Sequence, residues 1–113
     1  MADQARPVSW NQFLEKTGEQ YSYKSQLIAQ LQKDLRIIYS EHDAETIYKE
    51  TLQILSEKVH SNQLGELLYR IDLNEHVAQN CREQESPIDC ITSAILSREA
   101  QKVYFRIQYS QDT

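Results

Sequence analysis

The sequence predicts an all-α fold: a small single-domain bundle of about five helices with a long C-terminal helix. Only two glycines and two prolines occur in 113 residues, whereas an all-β domain of this size needs more turn formers. Leucine, isoleucine and valine recur at spacings of three and four, the period of an amphipathic helix. We expect a tail over residues 1–8, one domain over 9–110 and a short tail over 111–113.

The first predicted helix covers about residues 10–17. Ser9 and Gln12 have the spacing of a capping box, and Gly18 follows where a left-handed C-terminal residue is expected. The apolar contacts of this helix are predicted to be Trp10, Phe13 and Leu14.

The second helix is predicted from Tyr23 to Ser40, within the stretch "YKSQLIAQLQKDLRIIYS". Its apolar stripe follows the i, i+3, i+4 rule. The members of the stripe are Tyr23, Leu27, Ile28, Leu31, Leu35, Ile38 and Tyr39. Ile37 falls outside the stripe. Asp43 is then placed to cap a third helix.

The third helix has the cleanest apolar stripe in the chain, and the link "HSNQ" separates it from a fourth. The third stripe consists of Ala44, Ile47, Tyr48, Thr51, Leu52, Leu55 and Val59. The fourth helix contains Leu64, Leu67, Leu68 and Ile71. Asp72, with Glu75 three positions later, indicates a cap for a short fifth helix through Val77, Ala78 and Cys81.

The last element begins at Ser86 and Pro87, a cap residue followed by proline at the first helical position. Two apolar lines then run along a helical wheel and cover about half of its circumference. They are Ile88, Ile91, Ile95 and Leu96, Ala100, Val103, Ile107. The segment "KVYFRIQY", Lys102–Tyr109, also alternates as a half-buried strand does. Because no breaker and no pairing segment accompany it, we predict one long helix, with the strand as the alternative.

Charge and hydropathy narrow the class of partner and the compartment. The 12 basic and 17 acidic residues give a net charge of −5, which opposes docking on phosphate backbones or anionic membranes. No apolar run approaches the ~20 residues that span a bilayer, and no signal-peptide pattern opens the sequence. We expect a cytoplasmic protein without a membrane partner, with Cys81 and Cys90 as reduced thiols. A bridge between them would close only a short loop.

The best candidate binding residues lie at the far end of the last helix. Three bases stack four residues apart on one side, and three aromatic rings spread over the other faces. These residues are Arg98, Lys102, Arg106, Tyr104, Phe105 and Tyr109. In one interpretation, carboxylates such as Glu99 or Glu50 pair with the bases and the rings complete the core. In the other, the surface binds a protein partner or a second copy.

Residues suited to catalysis or metal binding are few. Glu57 and His60 have the E-x-x-H spacing of di-iron bundles, but they fall on the polar side of their helix and no second such pair occurs. His76, Cys81 and Cys90 do not have the spacing of a zinc site. Glycine-rich phosphate loops are excluded, because the only two glycines are far apart. We predict no cofactor, no metal and no catalytic residue.

The sequence therefore favours a non-catalytic protein-interaction or regulatory module, with self-association through the C-terminal helix as one form of it. A weak nucleic-acid-associated protein using Arg98, Lys102 and Arg106 is one alternative. A small enzyme or metal-binding helical protein is the other.

Overall fold

The computed structural model describes residues 21–112, and this part of the chain is all-helical, which confirms the predicted fold class. The helices are α1 (Tyr21–Leu35), α2 (Ala44–His60), α3 (Leu64–Ile71), α4 (Glu75–Arg82) and α5 (Pro87–Asp112). The helix predicted over residues 10–17 lies outside the described residues.

Helix α5 is the centre of the fold, because each of the other four helices packs against it. It is one uninterrupted helix of 26 residues, so the prediction of a long helix is confirmed and the strand alternative is wrong. Both predicted apolar lines supply side chains to the core. Those at most 3% exposed are Ile91, Ile95, Leu96, Ala100 and Val103.

Three helices end on a left-handed residue that is not glycine. Arg36 after α1, Asn62 after α2 and Asp72 after α3 have φ values of 59°, 60° and 64°. In each case the next amide donates to the carbonyl five residues earlier, at 3.3, 2.9 and 3.1 Å respectively. This is the Schellman motif, in which glycine is the usual left-handed residue. The sequence therefore lacks the glycine that would mark these ends.

Helix α1 consequently ends at Leu35 and does not continue to Ser40. Ile38, predicted on the buried stripe, is 88% exposed, whereas Ile37 packs against the core. Tyr39 is buried as predicted, but it reaches the core from outside the helix. Its hydroxyl lies 2.7 Å from Thr51 Oγ1, and burial raises the pKa of Tyr39 to about 12.

Side chains cap two of the following helices. Asp43 caps α2 as predicted, since its carboxylate accepts from the Thr46 amide at 3.0 Å. The predicted cap of α4 is wrong. Asn74 Oδ1 accepts from the His76 amide at 2.7 Å, while Asp72 is already used in ending α3.

The expectation of two reduced thiols is also wrong, because a disulfide joins Cys81 in α4 to Cys90 in α5. The loop over residues 83–86 lets the two helices fold back on each other, and the two Cα atoms lie 5.3 Å apart. That separation is within the range that disulfides require. The nine-residue sequence spacing could not show it, because it depends on how α4 packs.

Arg36 is left-handed, whereas Gln53 lies inside a helix, so glycine substitutions at the two positions should have opposite effects on stability. Arg36→Gly should stabilise the protein by about 0.5–1 kcal/mol, because it removes the Cβ strain of a left-handed residue. Gln53→Gly, on the exposed face of α2, should destabilise it by about 1 kcal/mol. Denaturant unfolding measures both, and a loss of stability in Arg36→Gly would contradict the assignment.

Candidate functional site

The basic side chains predicted to bind a partner lie along one side of α5, and the first two form ion pairs within the chain. Arg98 Nη2 lies 3.3 Å from Asp72 Oδ2, and Arg98 Nε donates to the Asp72 carbonyl. Lys102 Nζ lies 3.0 Å from Glu99 Oε2 and 3.7 Å from Asp34 Oδ2. A phosphate or an acidic partner would therefore have to compete with internal carboxylates.

The third base continues a polar network between α5 and α1. Arg106 Nη2 donates to Gln30 Oε1 at 2.6 Å, and Gln30 Nε2 donates to Asp34 Oδ2 at 2.7 Å. Arg70 Nε in α3 donates to the Asp34 carbonyl at 3.2 Å. Arg106 is thus held by a hydrogen bond to the neutral amide of Gln30.

Glu99 is a fully buried carboxyl group in this network, with 0% of its side chain exposed. Oε2 accepts from Lys102, whereas Oε1 has no hydrogen-bond partner among the described residues. Burial and the neighbouring Asp34 carboxyl raise the pKa of Glu99 to about 7, although Lys102 acts in the opposite direction. Glu99 is therefore a proton-sensitive group inside the fold.

The sequence interpretation named Glu99 as a possible partner of the bases but missed its burial. The signal was present, since Glu99 lies between the lines of Ile95 and Val103 on the wheel, at the middle of the apolar sector. Glu50, the other carboxylate considered, instead accepts hydrogen bonds from the amide and hydroxyl of Ser40, which lower its pKa.

The three predicted aromatic residues form an exposed patch at the C-terminal end of α5. Tyr104, Phe105 and Tyr109 are 43%, 46% and 70% exposed. The Phe105 ring centroid lies 5.8 Å from that of Tyr104 and 6.5 Å from that of Tyr109. The rings therefore make a continuous apolar surface, which we call the aromatic patch, and they do not complete the core.

A surface groove of about 630 Å³ lies between α5 and the N-terminal side of α4. The α4 side contributes apolar carbon from Leu73 and Val77, and the ion pair of Asp72 with Arg98 borders the groove. On α5, the lining residues are Ala94, Ser97 and Gln101. Sequence reasoning did not find this groove, because its two walls come from separate helices.

The groove and the aromatic patch lie end to end on one side of α5. Phe105 follows Gln101 by four residues and Ala94 by eleven, spacings that return to nearly the same direction on an α-helix. Tyr104 follows Ser97 by seven residues, with the same result. We call the groove and the aromatic patch together the docking face.

The residues considered for metal or nucleophilic chemistry are dispersed. Cys81 and Cys90 form a disulfide and do not offer thiolates. His76 and His60 are exposed on different helices. Across residues 21–112, no group of three or more histidine, cysteine or acidic side chains is arranged to hold a metal ion.

Comparison with known proteins found no matching family model, no similar curated protein and no similar solved structure. The helices within residues 21–112 include none that is both long enough and apolar enough to cross a membrane.

The buried carboxyl group predicts a specific pH dependence of stability. Because the fold raises the pKa of Glu99 from 4.5 to about 7, its protonation favours the folded state. This contribution is fully present below about pH 4.5 and is lost as the pH rises through about 7. The corresponding decrease in the free energy of unfolding across this pH range is on the order of 3 kcal/mol.

Glu99→Gln should remove this dependence, because the amide does not titrate. Subtracting its unfolding free energies from those of the wild type at each pH should give a curve that falls between about pH 4.5 and 7.5. Glu45→Gln is the matched control, and because this carboxylate is 76% exposed, the same subtraction should show a smaller change than for Glu99→Gln. A flat Glu99 curve would contradict the burial of a titrating group.

Proposed function

We propose that this protein is a non-catalytic interaction module that self-associates through the docking face of α5. The observation that carries the proposal is the continuity of a groove and an exposed aromatic patch along one side of the helix. Clustered aromatic side chains contribute strongly to protein interfaces, and an exposed apolar patch beside a groove is typical of a docking surface.

A second copy is favoured as the partner because the docking face is self-complementary. The groove is centred about two helical turns before the aromatic patch, with Gln101 near the midpoint. If two copies of α5 pack antiparallel about Gln101, the aromatic patch of each meets the groove of the other. A two-fold interface requires this reciprocity of a single surface. The uncharged Gln101 side chain at the axis avoids a like-charge contact.

The charges around the docking face are compatible with such a contact. Arg98 and Lys102 are each paired with carboxylates of their own chain, so they do not require an acidic partner. Their pairing also weakens the nucleic-acid alternative, because phosphate binding depends on bases that can exchange small counterions for phosphate. The disulfide between Cys81 and Cys90 likewise removes the two thiols from the metal-binding alternative.

Replacing an aromatic residue of the patch should weaken self-association. Loss of an interface hot spot costs about 2 kcal/mol, and a two-fold dimer contains Phe105 twice, so Phe105→Ala should raise the dimer Kd about a thousandfold. Sedimentation velocity over a concentration series measures this constant. Because Phe105 is 46% exposed, the fold should remain intact, and circular dichroism verifies it.

Tyr69→Ala is the matched control, because Tyr69 is an aromatic residue of α3 that is 88% exposed and lies outside the docking face. It should leave the dimer Kd unchanged. A wild-type protein that stays monomeric up to the highest attainable concentration would refute self-association. Equal weakening by both substitutions would show that the loss is not specific to the docking face.

A further inference from the structure

Few packing contacts hold helix α4, which forms one wall of the groove in the docking face. In the described structure it packs against α5 and against no other helix. It has eight residues, of which only Ala78 and Cys81 are buried. A helix of this length does not form stably without tertiary contacts. The position of α4 therefore depends on very few anchors, and one of them is covalent.

We propose that the Cys81–Cys90 disulfide is a redox-sensitive clamp that keeps α4 against α5 and thereby keeps the docking groove formed. The consequence for self-association rests on the function proposed above. The effect on α4 itself does not, since it follows from the packing alone.

The proposed reductant is a dithiol. Cys81 is 1% exposed, whereas Cys90 is only partly buried, so Cys90 is the more exposed residue of the bridge. A thiolate of the reductant attacks Cys90 Sγ, the protein S–S bond breaks, and Cys81 leaves as a thiolate that takes up a proton.

The second thiol of the reductant then attacks the mixed disulfide and releases Cys90, which is protonated in turn. In total, two electrons and two protons pass from the dithiol to the protein, and the dithiol becomes a disulfide. Oxidation by a disulfide oxidant reverses each step. The clamp therefore follows the thiol–disulfide balance of its surroundings.

Opening the clamp should affect α4 selectively. Its remaining buried anchors are Ala78 and the reduced Cys81 side chain, which then acts only as a small apolar group. Leu73, Asn74 and Val77 form the α4 side of the groove, so this wall loosens with the helix. Helices α1, α2 and α3 pack on α5 through their own contacts and should keep their positions.

Hydrogen exchange tests the clamp directly on the wild-type protein. Reduction with dithiothreitol should accelerate amide exchange over residues 75–82 at least tenfold, while the amides of α2 exchange at an unchanged rate. The double variant Cys81→Ser/Cys90→Ser should show the fast α4 exchange without reductant and no further change with it. Equal α4 exchange in the oxidised and reduced wild type would overturn the proposal.

Sedimentation of the same oxidised and reduced samples tests the effect on docking, and dithiothreitol alone is the probe. If the groove contributes to the interface, reduction should raise the dimer Kd about tenfold or more. Faster α4 exchange without a dimer in either state would support the clamp and refute the proposed function. A dimer that persists while α4 exchange is unaffected by reduction would support the proposed function and refute the clamp.

Discussion

The burial of the apolar sector of α5 is the contact on which the rest of the structure depends, because every other helix of the described chain packs against it. An α-helix surrounded in this way must be apolar around much of its circumference. The charged exception is Glu99, which is fully buried and would be costly as an unpaired charge. The same packing therefore places Lys102 and Asp34 beside Glu99 and raises the pKa of Glu99.

This packing also determines which side chains of α5 stay exposed and available for binding. The polar network between α1 and α5 takes up Lys102 and Arg106, whereas the aromatic patch lies on the uncovered side of α5 near its C-terminal end. Two of the three predicted bases are consequently engaged by α1, whereas the aromatic rings of the same helix stay exposed. The patch adjoins a groove whose other wall is α4, the helix with the fewest buried side chains apart from its disulfide anchor. The surface proposed for docking is thus built partly on the least secured element of the fold.

The predictions of helix ends and caps were wrong where a local sequence pattern is compatible with two structures. Asp72 can cap a following helix or end a preceding one, and its φ of 64° shows that it ends α3. Tyr39 continues the stripe of α1, yet it reaches the core from a turn beyond the helix end at Leu35. In both cases the missing information was the left-handed conformation of a residue other than glycine. Tertiary packing determines such a conformation, and residue type does not reveal it.

The sequence by itself determined the helical class, the long C-terminal helix and which of its residues face the core, because the period of apolar side chains is a local property. It also placed the bases and the aromatic rings on α5. Only the tertiary structure decided that Cys81 meets Cys90, that Glu99 is buried beside Lys102, and that a groove adjoins the aromatic patch. These features depend on distances between residues of different helices, or on how neighbouring helices cover a side chain. Spacing along one helix does not contain that information.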